Sequence, residues 1–205
     1  AEAERDSLQI TSEPTGSIEF EQSYRLRANT PITGFDEDLI SIRDGDSTLV
    51  PFNAEMRSLE NEIVISFDKE ESSKYQVMTL PGAVTDLFGE TNDTIRNTLS
   101  TKSYADYGSI ILTLQNVDRF PIVVQLTNEK GEVQKEKYST GESNFHFRFL
   151  KPGKHLIRVI FDENENRKWD TGDYLKRIQP EEIQYYRDTI EVRSNWDMPE
   201  TFTLD

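Results

Sequence analysis

Apolar and polar residues alternate along most of the chain with a period of two. Ile18 and Phe20 alternate with polar neighbours, and Tyr24, Leu26 and Ala28 repeat the pattern. Side chains two residues apart lie on one face of a β-strand, so each segment has one buried and one solvated face. No segment has the period of a convincing amphipathic helix. The pattern predicts an all-β fold built from short strands separated by turns.

The alternation restarts after a short polar joint at residues 102–106. In this second half Ile110, Leu112 and Leu114 face one way, and the segment 156–161 is apolar on both faces, which is typical of a central strand. The restart predicts two different β-sandwiches in tandem, each with a thin core of its own. We expect an Ig-like sandwich at residues 1–103 and a transthyretin-like or CnaB-like sandwich at residues 104–205.

A tight turn is predicted inside the first half. Asp44 and Gly45 lie between two apolar runs. Because both central residues of a two-residue hairpin turn favour positive φ, an Asp-Gly pair in this setting predicts a β-hairpin, here over residues 42–52.

The composition limits the classes of partner. The 205 residues include 38 acidic and 23 basic side chains, for a net charge of −15. Nucleic acid and anionic membrane surfaces would repel such a chain. The 11 Phe, 8 Tyr and 2 Trp are too many aromatic residues for an acidic disordered segment. The chain has no cysteine, which excludes disulfides, thiolate chemistry and cysteine-ligated zinc.

Neither a membrane span nor a signal peptide is expected. The sequence contains no apolar run of the about 18 residues that a spanning helix needs. Residues 1–6 have neither the basic nor the apolar region of a signal peptide. Either a signal has been removed or the chain is a piece of a longer protein, and the early start of strand-like sequence favours the second alternative.

The segment 162–173, here called the acidic loop, carries oxygen-bearing side chains at the spacing of an EF-hand loop. The candidate ligands are Asp162, Asn164, Asn166, Lys168 through its backbone carbonyl, Asp170 and Asp173. Ca²⁺ takes about six to eight oxygen ligands, and three carboxylates in one loop repel each other without a cation. We expect Ca²⁺ here in a structural role, because the ion would order a loop that is otherwise costly to fix.

Three features depart from the EF-hand pattern. Arg167 replaces the glycine of the sharp turn, although a positive φ disfavours residues other than glycine. Asp173 is shorter than the usual bidentate glutamate, and strands rather than helices flank the loop. The alternative interpretation is a solvated acidic loop in which Trp169 folds back onto the core.

No catalytic constellation is evident, so we do not expect an enzyme. His146 and His155 lie on opposite sides of a turn and are not expected to form a zinc pair. The sequence has no Gly-x-Ser-x-Gly motif and no glycine-rich phosphate loop. Tyr185, Tyr186, Trp169 and Trp196 would be the aromatic residues of a sugar-binding platform, although such residues are more often half-buried cover for a sandwich core.

Several segments match known domain types. In the first half these are residues 30–36, 42–52, 75–83, 86–94 and 100–102. They resemble the bacterial Ig-like domain of the SbsA type, common in surface proteins of the Bacteroidetes. In the second half, residues 149–158 and 162–172 are similar to a transthyretin-like or CnaB-like β-sandwich of the sort appended to surface proteins.

The resemblance implies an extracytoplasmic setting at the cell surface or outer membrane, with a lipid anchor outside this chain. Such tandems often lie at the C-terminal end of a longer lipoprotein. We therefore expect a non-catalytic surface module that acts as a spacer or as a docking platform for a protein partner in an envelope complex. The alternative is a glycan-binding accessory module.

Overall fold

The computed structural model describes residues 7–172, 175–177 and 179–205. The chain divides into two compact units, Ala1–Ser103 and Tyr104–Asp205. Regular helix in the described residues is limited to two 3-10 turns, Glu37–Leu39 and Tyr104–Asp106. The fold is all-β, which confirms the class predicted from the alternation. Within these ranges no helix has the length and apolar character needed to cross a membrane.

The first unit has two main sheets. Its strands are β1 (Ile10–Glu13), β2 (Gly16–Ser17), β3 (Tyr24–Ala28), β4 (Ile32–Phe35), β5 (Ile40–Arg43), β6 (Phe52–Arg57), β7 (Glu62–Phe67), β8 (Lys74–Thr79), β9 (Val84–Asp86) and β10 (Ile95–Ser100). One sheet has the strand order β1-β3-β7-β6, the other has the order β2-β10-β8-β5, and β4 pairs with β9. Apolar residues of both sheets form a single core, which includes Leu26, Ile63, Ile42 and Val77.

The predicted Asp-Gly turn forms, but with different backbone geometry. Asp44 Oδ1 accepts the N–H of Asp46 at 3.0 Å and that of Thr48 at 2.8 Å. The positive φ falls on Ser47, at 65°, and not on Gly45. The aspartate side chain therefore organises this turn more than the glycine does.

The turn leads into only the first pairs of the expected hairpin, where Arg43 forms an antiparallel bridge with Leu49. The N–H of Val50 still donates to the Ile42 carbonyl at 2.9 Å. Pro51 then has no N–H with which to continue the ladder. Strand β6 crosses to pair with β7, whereas β5 pairs with β8 in the other sheet. The hairpin prediction over residues 42–52 was thus right about the turn and the pairs next to it, and wrong beyond Val50, where the two strands take different partners.

The second unit is also built from two sheets. Its strands are β11 (Gly108–Gln115), β12 (Ile122–Thr127), β13 (Val133–Ser139), β14 (Asn144–Leu150), β15 (Gly153–Phe161), β16 (Ile183–Tyr185), β17 (Ile190–Val192) and β18 (Asp197–Thr203). One sheet has the order β14-β11-β18, the other has the order β13-β12-β15-β16, and β17 pairs with β15. Strand β15 is a central strand, as its apolar residues on both faces predicted.

The core of the second unit is separate from that of the first. It includes Ile110, Leu112, Phe147 and Ile157, contributed by both sheets. Phe147 is fully buried. Because each unit buries its own apolar faces, each has the main requirement for cooperative folding within itself.

The register defines two ends of the second unit. Gly108 pairs with Leu150, and a short turn then leads to Gly153 at the start of β15. At the far end of β15, Phe161 pairs with Ile122 of β12. The chain that precedes β11 and the chain that follows β15 therefore lie at opposite ends of this unit.

Candidate metal loop

The acidic loop begins where β15 ends, so the sheet fixes its first residue. Asp162 is fully buried, and its N–H donates to the Pro121 carbonyl at 3.1 Å. Its carboxylate accepts the N–H of Asn166 at 3.1 Å and the N–H of Arg167 at 2.8 Å. A buried carboxylate is tolerated only with such partners. These bonds close the loop back onto its own first residue.

Two asparagine side chains also hydrogen-bond to the backbone of the loop and help to turn the chain. Asn164 Oδ1 accepts the N–H of Asn166 at 3.0 Å, and Asn166 Oδ1 accepts the N–H of Lys168 at 2.8 Å. The Nδ2 atoms of both asparagines donate to Oδ2 of Asp170, the bond from Asn166 being 2.7 Å long. One hydrogen-bond network thus links four of the predicted ligands: Asp162, Asn164, Asn166 and Asp170.

Arg167 makes the sharp turn that an EF-hand loop assigns to glycine. Its φ is 64°, and Glu165 also has a positive φ of 62°. Left-handed backbone costs a residue with a Cβ about 1–2 kcal/mol. The bond from the Arg167 N–H to Asp162 offsets part of that cost, and the guanidinium lies 4.7 Å from the Tyr138 ring centroid.

Glu181 completes the loop, although the sequence analysis did not identify it. Its carboxylate accepts the N–H of Glu163 at 2.9 Å and the N–H of Asp170 at 3.0 Å. Its carbonyl accepts the indole N–H of Trp169 at 3.1 Å. Glu181 is almost fully buried and lies beyond the twelve-residue window of an EF-hand motif. Spacing within the motif therefore gave no signal for it.

An ion-pair cluster borders the loop. The Arg119 guanidinium lies 4.1 Å from the Phe161 ring centroid and pairs with Glu182 and, at 3.8 Å, with Glu163. Hydrogen bonds from Gln184 and then from Arg119 hold the pKa of Glu182 below its usual range. This cluster anchors the segments that precede and follow the loop to one another.

The donor set matches the preferences of Ca²⁺. Carboxylate and amide oxygens are hard ligands, and the two described carboxylates, Asp162 and Asp170, balance a divalent charge. The predicted ligand Asp173 lies outside the described residues. Lys168, predicted to bind through its backbone carbonyl, lies in the loop between Asn166 and Asp170. Where the structure describes the chain, no three His, Asp or Glu side chains converge as a metal cluster. A Ca²⁺ site in this loop would therefore need the side-chain oxygens of Asn164 and Asn166 in addition to the two carboxylates.

The aromatic residues considered for a sugar platform are dispersed. Tyr186 packs against Phe202 at a centroid distance of 5.4 Å, and its hydroxyl donates to Glu200 at 2.9 Å. Burial and then the hydrogen bond to Glu200 raise the pKa of Tyr186 to about 12. Trp169 lies in the acidic loop, whereas Trp196 lies beside β18 at the opposite end of the unit.

The two histidines have separate surroundings. His155 is buried, and its Nε2 lies 3.0 Å from the Lys151 carbonyl. His146 lies on β14, where its Nδ1 accepts a hydrogen bond from Arg148 Nε at 3.3 Å.

Comparison with known proteins gives only distant likenesses in structure. No family model and no curated protein matches the chain. The N-terminal part of the bacterial S-layer protein SbsC is similar with a TM-score of 0.41 and 10% identity, over 77% of this chain and 41% of that one. Native alpha-2-macroglobulin from Escherichia coli, domains MG0-NIE-MG1, is similar with a TM-score of 0.42 and 10% identity, over 87% of this chain and 71% of that one. BcpA, the major pilin subunit of Bacillus cereus, is similar with a TM-score of 0.30 and 10% identity, over 97% of this chain and 70% of that one. The chain spans less than half of the SbsC fragment, and at these scores the likenesses carry no argument about function.

Proposed function

We propose that this chain is a non-catalytic module of the bacterial cell surface. It acts as a spacer or protein-docking platform in a larger envelope lipoprotein or complex, and Ca²⁺ stiffens its second unit. The observation that carries the proposal is the closed acidic loop, in which the buried carboxylate of Asp162 binds the backbone of Asn166 and Arg167. The extracytoplasmic setting, with a lipid anchor outside this chain, follows from the resemblance to Bacteroidetes surface domains.

A structural role suits the way the loop uses its polar side chains. Asp162, Asn164 and Asn166 each accept a backbone N–H from the loop itself. A loop ordered by its own side chains is preorganised for an ion, since an oxygen that accepts one N–H keeps a second lone pair for a further partner. The ion would be held by Asp162, Asn164, Asn166, the Lys168 carbonyl, Asp170 and Asp173. It would supply positive charge beside the carboxylates of Asp162 and Asp170.

The proposed location and the proposed ion support each other. Extracellular calcium modules typically have a Kd of about 10⁻⁴–10⁻³ M. A site of that strength fills outside the cell, where Ca²⁺ is plentiful, and stays empty in the cytosol. Calcium binding would therefore make the second unit rigid only after export.

The acidic surface favours a docking partner with a basic face. The net charge of −15 steers a positively charged protein toward this chain and repels polyanions. Association governed by such steering slows as ionic strength rises, because salt screens the exposed charges.

Limited proteolysis tests the calcium-stiffened loop. Trypsin can cut after Arg167 and Lys168, both exposed in the acidic loop. Ca²⁺ at a hundredfold excess over its Kd lowers the opened population of the loop about a hundredfold. We expect cleavage there to slow by about tenfold or more when Ca²⁺ replaces a chelator.

The same digest contains its own control. Lys130 is exposed in the turn between β12 and β13, where its N–H donates to Asn128 Oδ1 at 2.9 Å. Cleavage after Lys130 should proceed at the same rate with Ca²⁺ and with chelator. Equal rates at the acidic loop under both conditions would contradict the proposed role of the ion.

A further inference from the structure

A groove lies at the end of the second unit opposite the acidic loop. It measures about 490 Å³, within the range of about 300–1,000 Å³ typical of small-molecule sites. The 3-10 turn Tyr104–Asp106, the start of β11, strand β14 and the turn between β17 and β18 form it. Its lining includes Tyr104, Ser109, His146, Arg148, Trp196 and Asp197. We call it the aromatic groove.

The backbone holds Trp196 in a fixed position. The N–H of Asn195 donates to the Tyr107 carbonyl at 2.8 Å, which ties this turn to the chain just before β11. A Cβ on Gly108 would lie 2.4 Å from the Arg193 carbonyl, so only glycine allows this close approach. The Trp196 side chain is 58% exposed on this rigid support. An exposed indole held in this way loses little entropy on binding a ligand.

A second aromatic side chain lines the same groove. Tyr104 is 45% exposed, and its ring stacks on Phe149 at a centroid distance of 5.6 Å and an interplanar angle of 30°. The packing against Phe149 restrains the tyrosine ring. Two restrained and half-exposed rings can cover the apolar C–H faces of a ligand while its polar edges stay hydrated.

The polar lining offers hydrogen-bond donors. Because His146 Nδ1 accepts from Arg148 at 3.3 Å, the neutral imidazole carries its proton on Nε2. That Nε2 is buried and has no hydrogen-bond partner among the described residues. A donor without a partner in the wall of a groove favours a ligand that brings an acceptor. The Arg148 guanidinium adds further donors on the same strand.

A negative charge and hydrogen-bond acceptors for the groove come from Asp197 on β18. Asp197 pairs in register with Ser109, and its carboxylate accepts the Ser109 hydroxyl. A carboxylate has about four lone-pair sites, so Asp197 keeps acceptor capacity for a ligand. Arg148 and Asp197 balance each other formally, which leaves the lining without a dominant charge.

We propose that the aromatic groove binds a neutral saccharide. Sugar hydroxyls both donate and accept, which matches the mixed set of His146, Arg148 and Asp197. The C–H faces of a pyranose ring match the exposed rings of Trp196 and Tyr104. A nucleic acid would offer similar stacking, but the net charge of −15 repels its phosphates. This ligand site is independent of the spacer function and of Ca²⁺.

The two tryptophans provide a direct readout of binding. Their indole N–H signals in ¹H–¹⁵N spectra are followed while tetrasaccharides of glucose, mannose, xylose, galactose and N-acetylglucosamine are added to millimolar concentrations. We expect at least one of these sugars to shift the Trp196 signal saturably, equally with Ca²⁺ and with chelator. The Trp169 signal should stay in place, because that indole lies at the other end of the unit and donates to Glu181. If no sugar moves the Trp196 signal, or if both signals move alike, the proposal is overturned.

Variants assign the binding to this groove. Trp196→Ala and Arg148→Ala should each raise the Kd of the bound sugar at least tenfold, whereas Tyr185→Ala, which removes an exposed ring on β16, should leave it within about twofold. Retention of full affinity in Arg148→Ala, with its fold checked by circular dichroism, would place the binding elsewhere and refute the assignment. The Arg148 variant serves as the deciding one if Trp196→Ala fails to fold.

Discussion

Phe147→Ala is expected to lower the free energy of unfolding of the second unit by about 3–5 kcal/mol and to leave the first unit unchanged. Phe147 is fully buried in the core of the second unit, so truncation leaves a cavity and removes dispersion contacts. The first unit has its own core, which includes Leu26 and Ile63 but no residue beyond Ser103. A cavity in one core should therefore not reach the other.

Tryptophan fluorescence separates the two units in a urea titration. Both tryptophans of the chain, Trp169 and Trp196, belong to the second unit, whereas far-ultraviolet circular dichroism reports on both units. The fluorescence midpoint should fall in Phe147→Ala while part of the circular dichroism transition keeps its wild-type midpoint.

Two matched variants bracket this result. Leu26→Ala, in the buried core of the first unit, should leave the fluorescence midpoint unchanged while costing the first unit about 2–5 kcal/mol. Ile111→Ala, at a position 42% exposed on β11, should cost the second unit less than about 1 kcal/mol. A joint shift of both transitions in Phe147→Ala would mean that the units unfold as one, contrary to this description of two cores.

Ca²⁺ is expected to raise the Tm of the second unit by about 10–20 °C. At a hundredfold excess over its Kd, a ligand that binds only the folded state contributes about 2.7 kcal/mol. Each kcal/mol shifts the Tm of a unit of this size by about 4–8 °C. The measurement is thermal unfolding followed by tryptophan fluorescence, in chelator and then in excess Ca²⁺. The signal from the first unit should not respond to the ion.

Variants in the acidic loop test whether the calcium-dependent rise in Tm requires the carboxylate of Asp162. Asp162→Asn keeps the side-chain shape and removes the buried negative charge, and its amide NH2 replaces one of the two oxygens that accept backbone N–H groups. We expect it to abolish the calcium-dependent rise. Glu165→Gln changes an exposed acid in the same loop that is outside the candidate ligand set, and should retain the rise. A Tm that is the same with and without Ca²⁺ in the wild type would be incompatible with the proposed site.

Local pattern was sufficient for the fold class and for the central strand. Alternation in segments such as Tyr24–Ala28 reports directly which side chains are buried, and the structure buries Tyr24, Leu26 and Ala28 as that pattern requires. The apolar run in β15 likewise reports burial on both faces. These predictions succeeded because the alternation of apolar and polar residues within one strand is enough to indicate which of its side chains are buried.

Strand pairing was less predictable because it depends on distant contacts. The turn at Asp44 forms from local hydrogen bonds, but after Pro51 strand β6 pairs in the other sheet. The choice between the two partners is made by the packing of both sheets around one core. No short window of sequence contains that information.

The candidate sites show the same division. The spacing of the predicted ligands in the acidic loop is local, so the sequence alone suggests it, and Arg167 adopts the positive φ that its position demands. Glu181 reaches the loop from a later segment, and only folding places its carboxylate at the N–H groups of Glu163 and Asp170. The sequence analysis named Trp196 but not the aromatic groove, because four separate elements form it around the close approach at Gly108.

The most direct test of the calcium-stiffened module is calorimetric titration of chelator-stripped protein with Ca²⁺. The proposed site predicts saturable binding of about one ion per chain, with a Kd on the order of 10⁻⁴–10⁻³ M or tighter. Asp162→Asn should give no isotherm above the heat of dilution, and Glu165→Gln should match the wild type. The absence of an isotherm in the wild-type protein, or an unchanged isotherm in Asp162→Asn, would contradict the account.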